Sequence, residues 1–292
     1  MQKVRGKKMH TPDGFITGWI CIVMLLVSLS FLSYAVLNLR KHLTKEKIIQ
    51  MSLLGLIIFA AQMLNFPIAS GTSGHLIGAA LVAIILGPHA TVVVLAAVLL
   101  LQCIVFGDGG LLALGVNIFN MGIVASYSAY FVYKKFENSL GILMASWVSV
   151  LLASVSASVF LALSGLASVT EIFVAMVSTH AIIGMGEAFI TFGMVLYLDK
   201  FKMPSYTSLT IGLSFVLLAL TLPFASSHPD GMEKVAINLG FYKNAISVYE
   251  APFAEYMMFG SELVAGLFGM LLSFGVVYLF LIKTKEVNIL RA

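Results

Sequence analysis

F-I-T-G-W-I-C-I-V-M-L-L-V-S-L-S-F-L-S-Y-A-V-L-N, residues 15–38, is an unbroken apolar run without a single charged side chain. A run of about 20 apolar residues is long enough, as a helix, to cross the hydrocarbon core of a bilayer. Eight further runs follow at about 48–66, 74–87, 89–106, 111–133, 140–164, 171–198, 207–225 and 258–282, the third being the shortest. The whole chain agrees with them: 60% of its 292 residues are hydrophobic and 10% charged, with a mean hydropathy of +1.02, well outside the composition of soluble domains. The fold expected is all-α, a polytopic transmembrane bundle of about nine spans, placed in the cell membrane as a multi-pass protein.

The basic residues orient the bundle. With the N-terminus outside, the inner loops hold Arg40, Lys41, Lys45, Lys47, Lys134, Lys135, Lys200, Lys202, Lys283, Lys285 and Arg291, and the outer loops only Lys234 and Lys243. The positive-inside rule reads this asymmetry as N-terminus outside and C-terminus cytoplasmic. One segment dissents: residues 1–8 carry Lys3, Arg5, Lys7 and Lys8 on the outer side. They form an N-terminal extension at odds with the topology, and Met9 is the expected initiator. Because the net charge of +4 arises in the inner loops, it reports topology. No basic surface interleaved with aromatics is present, so no nucleic acid is expected as a partner. A first apolar run this long, with no small-residue cleavage site after it, also argues against a cleaved signal peptide.

Two modules are legible. Residues 9–200 form a seven-span domain with short loops, and 206–292 a two-span module around a polar external loop, 225–257, joined through a short link at 199–205. Cys21 and Cys103 both lie in apolar runs and show neither a disulfide framework nor a C-x-x-C pattern.

The hexapeptide Met9-His10-Thr11-Pro12-Asp13-Gly14 stands directly before the first run. If the chain starts at Met9, the α-amine, the His10 amide nitrogen and His10 Nδ1 close fused five- and six-membered chelate rings on one ion. Three nearly coplanar nitrogens suit tetragonal Co(II), Ni(II) or Cu(II) and leave one in-plane position open. The plainer alternative is turn chemistry, to which T-P-D-G is well suited. His75 ends the irregular, small-residue segment Ser70-Gly71-Thr72-Ser73-Gly74-His75 on the same outer side, and neutral imidazole is the commonest side-chain ligand of transition metals. His10 and His75 together supply what the chelate lacks.

His180 and Glu187 stand seven apart, on one face of a helix, and ionisable groups inside a membrane point to function. A proton relay, a second metal site and an interhelical hydrogen-bond network all remain open for them. Gln102, Asn117 and Asn120 are read as helix-to-helix hydrogen-bonding groups or as support for a histidine ligand. Asp108, in F-G-D-G-G-L, reads as turn chemistry. His228, on the outer loop, is a weak candidate for transient metal contact, and His42 and His89 are assigned no role.

At these residues the chain resembles the CbiM/NikM family, the substrate-binding membrane components of energy-coupling factor (ECF) transporters for cobalt and nickel. The strings that carry the resemblance are M-H-T-P-D-G-F (9–15), S-G-T-S-G-H-L-I-G-A-A-L (70–81), L-G-P (86–88), F-G-D-G-G-L-L-A-L-G-V-N-I-F-N-M-G (106–122) and H-A-I-I-G-M-G-E (180–187). The region 206–292, with P-F-A-S-S-H-P-D-G-M-E-K-V-A (223–236), resembles the small two-span N component of the same systems, as in a fused M–N protein. The resemblance implies import of Ni²⁺ or Co²⁺ as substrate, with ATP hydrolysed by separate cytoplasmic subunits that act through a coupling transmembrane subunit. It also implies that the ion is held by Met9, His10 and His75; Asn117, His180 and Glu187 keep the supporting or relay roles read above from the residues themselves. The eight residues ahead of Met9 depart from the pattern, since they turn the amine into a peptide nitrogen.

Independently of any family, the chain has no G-x-x-x-x-G-K-[ST] phosphate loop, so energy has to come from a partner or an ion gradient. The second reading is therefore a stand-alone secondary metal carrier with a His180/Glu187 proton relay. An intramembrane metalloprotease would need H-E-x-x-H or its inverse, and no such string occurs. No enzymatic activity and no catalytic cofactor are expected.

Overall fold

In the computed structural model, which describes residues 9–68, 71–200 and 207–289, the first apolar run becomes α1 (Gly18–Leu39). Ile20, Met24, Ser28 and Ala35 recur at helical spacing and are buried, whereas Trp19, Ile22, Leu26, Leu29 and Leu37 stay exposed. A helix apolar on every side with one face left open is a membrane span whose outer face meets lipid. α2 (Lys45–Met63) starts where the Thr44 hydroxyl oxygen accepts the Lys47 N–H. It is the central helix: Met51, Leu53, Leu54, Leu56, Ile58 and Phe59 have no exposed surface.

After α2 the chain leaves helix for an antiparallel hairpin, β1 (Phe66–Ile68) and β2 (Thr72–Gly74), with Phe66 opposite Gly74. Then comes α3 (Ala79–Leu86), eight residues long and thus about 12 Å at 1.5 Å per residue, too short to cross a core of about 30 Å. The apolar run at 74–87 is therefore not a full span, because its first residues form the end of the hairpin and irregular chain. α4 (Pro88–Leu101) has proline at its start and continues as a π-helical stretch, Gln102–Phe106. α5 (Leu114–Asn117), the π-helical Ile118–Val124 and α6 (Ala125–Phe136) make one continuous helical run. π-Helical insertions gather at functional sites, and both flank the polar residues described below.

α7 (Ser139–Leu163) and α8 (Val169–Lys200) pack along one another, and Trp147 Nε1–H donates to the Ala181 carbonyl at 3.0 Å. α9 (Thr207–Thr221), α10 (Gly231–Asn238) and α11 (Glu262–Ile289) complete the chain. Among the described residues seven helices are long and apolar enough to cross a membrane, against nine runs in the sequence. The two others are the half-length α3 and the run Leu114–Phe136, which Asn117, Asn120, Ser126 and Ser128 make less apolar. The protein is a multi-pass membrane helix bundle.

The C-terminal region does not stand apart. Ala265, Met270 and Val277 of α11 lie in the same core cluster as Met51 and Phe59 of α2, and a Cβ on Gly269 would sit 2.0 Å from the Phe59 ring, so only glycine permits this approach. The long loop between α9 and α11 is laid across the other loops: Ser226 N–H donates to Asn65 O at 2.7 Å, Ser73 N–H to Pro229 O at 2.9 Å, and Phe253 N–H to Val105 O at 3.0 Å. Residues 1–8, and all but the first two positions of the link at 199–205, lie outside the described residues.

Candidate metal centre

Asp13 fixes the segment before α1. Its carboxylate accepts the N–H groups of Leu111 (3.0 Å), Leu112 (2.8 Å) and Ala113 (3.0 Å), three successive main-chain donors of the turn that leads into α5. Gly110 N–H donates to Thr11 O at 2.9 Å, and a Cβ on Gly110 would meet Asp13 N at 2.3 Å, so the two segments run too close for any side chain there. Asn117 closes the strap, accepting the Thr11 N–H and donating to the Thr11 carbonyl, both at 3.1 Å. Asp13→Ala leaves three amides without an acceptor and is expected to cost about 2–3 kcal/mol of stability. Thermal unfolding in detergent measures it, and an unchanged midpoint would refute this role for the carboxylate.

The strap carries Met9 and His10 into the interior, where they are 4% and 3% exposed. Met9 N–H donates to Asp108 Oδ1 at 2.7 Å. His10 Nε2 lies 2.9 Å from Gln102 Oε1; an amide oxygen only accepts, so the ring proton is on Nε2. His10 Nδ1 is then a buried lone pair, and it has no hydrogen-bond partner. Such an orphaned acceptor is costly.

His75 follows β2, and its ring stands edge-on to that of His10 with centroids 5.3 Å apart. Its Nε2–H donates to the Met9 carbonyl at 2.7 Å. Burial foremost, then the neighbouring His10, lowers the His75 pKa to about 4, so the imidazole is neutral at pH 7, the form that binds metals. Asp230 Oδ2 lies 3.7 Å from His75 Nε2. Burial, then the Glu233 carboxylate, pushes the Asp230 carboxyl well above its ordinary range, so this contact is not a pair of opposite charges. Among the described residues no three His, Cys, Asp or Glu side chains converge as a metal cage, so an ion held here has to draw on main-chain nitrogen.

His180 and Glu187, one helical face in the sequence, do separate things. Both oxygens of the buried Glu187 carboxylate accept main-chain donors, Ile77 N–H at 2.8 Å and Gly78 N–H at 2.9 Å. Glu187 thereby ties the chain just after His75 to α8. His180 Nδ1–H donates to the Met176 carbonyl at 2.7 Å, and the ring borders a cavity of about 60 Å³ that His10, His75, Asn117, Asn120 and Asp230 also line. Asn120 accepts the Ser156 hydroxyl at 2.7 Å. His228 meets the hairpin through its carbonyl, which accepts the Ser73 hydroxyl at 2.8 Å.

Three residues of this site are not signalled as such in the sequence. Asp108 reads as a turn residue but is 1% exposed and holds the Met9 nitrogen; a lone acid framed by glycines between two apolar runs is the sign that could have marked it. Tyr256 donates its hydroxyl to Asp108 Oδ2 at 2.7 Å. Burial, then the Asp108 charge, keeps the phenol pKa well above its usual value, so the proton stays on oxygen. Asp230 and Glu233 form a capping box at the start of α10, legible in D-G-M-E, although nothing in that string places Asp230 beside His75.

Comparison with known proteins gives this geometry a family. Residues 10–205 match the family model CbiM, described as the cobalt uptake substrate-specific transmembrane region. The chain is 34% identical over 281 residues to the "Putative fused nickel transport protein NikMN" of Archaeoglobus fulgidus, covering 88% of this chain and 91% of that one. It is 35% identical over 125 residues to the fused nickel transport protein NikMN of Rhodobacter capsulatus, covering 43% of this chain and 36% of that one. A crystal structure of a transition metal transporter superposes with a TM-score of 0.61 at 31% identity, over 66% of this chain and 93% of the other. The chain, with its match opening at His10, belongs to the CbiM family of substrate-specific transmembrane regions.

Proposed function

We propose that the protein is the membrane substrate-binding component of an ECF-type importer of Ni²⁺ or Co²⁺, and that it holds the ion at the Met9 nitrogen, the His10 main-chain nitrogen, His10 Nδ1 and His75. The observation that carries this reading is His10 Nδ1, a buried lone pair without a partner, beside the main-chain nitrogens with which it closes chelate rings and 5.3 Å, ring to ring, from His75. Nitrogen donors in one plane suit both ions, and relatives carry nickel or cobalt in their names. To bind through Nε2 the neutral His75 gives up its hydrogen bond to the Met9 carbonyl and shifts its ring proton to Nδ1, which lies 3.3 Å from the Leu76 carbonyl oxygen. This reading requires a free amine at Met9, hence a functional chain that starts there with its N-terminus outside and its C-terminus cytoplasmic. With no phosphate loop in the chain, ATP hydrolysis falls to cytoplasmic partner subunits that act through a coupling membrane subunit.

The test is reconstitution in sealed vesicles. The chain alone binds one Ni²⁺ or Co²⁺ per molecule but does not concentrate it, with or without a proton gradient; ATP-dependent uptake appears when the coupling and ATPase subunits are added. Gradient-driven uptake by the single chain, abolished by His180→Ala or Glu187→Gln, would replace this reading with the secondary carrier.

A further inference from the structure

Asp108 has two carboxylate oxygens and two different dependants. Oδ1 takes the Met9 N–H and Oδ2 takes the Tyr256 hydroxyl, each at 2.7 Å, and His10 Nε2 waits 3.7 Å from Oδ2. Tyr256 comes from the loop between α9 and α11, 148 residues further along the chain. Its placement is over-determined: the ring stacks on Phe106 at 4.9 Å and 15° and meets Phe59 at 6.1 Å, while Phe253 N–H anchors the same loop at the Val105 carbonyl. The backbone at Glu255 and Tyr256 is left-handed, φ +59° and +56°, a conformation unfavourable for residues with a side chain and retained where surrounding structure or function demands it.

We propose that Tyr256 is a positioning residue of the metal centre: its hydroxyl fixes the Asp108 carboxylate, which in turn fixes the Met9 nitrogen. This rests on the reading of Met9, His10 and His75 as the metal-holding groups. Without the hydroxyl, Oδ2 loses its donor and the carboxylate is free to turn to His10 Nε2, drawing both Met9 and His10 from their places. Partners of this kind hold ligand groups in orientation and typically cost metal affinity when removed. A consequence is that the N-terminal centre is completed by the C-terminal region, since the hydroxyl that donates to Asp108 Oδ2 comes from the loop between α9 and α11.

Tyr256→Phe in the full chain starting at Met9 tests this, because the ring and its stacking remain and only the hydroxyl goes. Ni²⁺ affinity by equilibrium dialysis is expected to fall on the order of 10-fold, with a shifted ligand-field absorption of the bound ion and an unchanged thermal midpoint. In an Asp108→Ala background the same substitution is expected to add little, since the group through which the hydroxyl acts is already gone. Wild-type affinity in Tyr256→Phe, losses that add across the two substitutions, or lower affinity together with a lower midpoint and an unaltered spectrum each overturn the proposal. The centre itself is tested separately by His75→Ala: normal metal binding there removes the reading beneath, whereas loss there with normal binding in Tyr256→Phe removes only the role of Tyr256.

Discussion

One alanine placed ahead of Met9, in a chain that otherwise starts there, is expected to abolish tight nickel and cobalt binding. The Met9 nitrogen is buried and held by Asp108, so an added residue does not simply project into water. It converts the amine into a second main-chain amide, whose lone pair is delocalised over the peptide bond and which, like the His10 amide, can donate to a metal only after losing its N–H proton; the free amine moves off the centre. The loss should exceed the ~10–100-fold that follows removal of a supporting partner, because a donor of the chelate itself goes. Dialysis against Ni²⁺ and Co²⁺ on two preparations with mass-verified N-termini decides the matter, and equal affinities would mean that the amine is no ligand. The four basic residues of 1–8 on the side that the other charges mark as outer point the same way.

What the sequence discloses and what it withholds divide along sequence distance. Apolar runs such as 15–38 became helices because span length and hydrophobicity are local properties. The run at 74–87 misled for an equally local reason: it is apolar, but Gly74 ends strand β2 and Gly78 makes a left-handed turn before α3. Met9, His10 and His75 stand out as candidate ligands from chelate chemistry and motif, while the approach of the two imidazole rings depends on a hairpin that no periodicity foretells. Asp108 and Tyr256 stayed hidden because their roles are hydrogen bonds across 99 and 148 residues. A single sequence carries no term for such pairs. For Glu187, which the sequence leaves open as relay, second metal site or hydrogen-bonding group, both oxygens accept main-chain donors beside His75, an arrangement that spacing along one helix does not disclose.

His75→Ala is expected to remove most of the metal affinity and little of the stability. The side chain is 11% exposed and sits between β2 and α3, outside any helix, and it borders an existing cavity. Its removal therefore enlarges a space that is already partly polar and tears no packed core, so the cost in stability stays within about 1 kcal/mol. Metal binding, by contrast, loses the imidazole whose ring stands 5.3 Å from that of His10, leaving the fourth in-plane position to water. Free imidazole, which fits the vacated space, should restore part of the binding. His180→Ala serves as the counterpart: it lines the same cavity but is tied by Nδ1 to its own helix, and binding in that variant should persist while transport by the assembled importer suffers. The reverse result, metal retained without His75 and lost without His180, would move the site to α8.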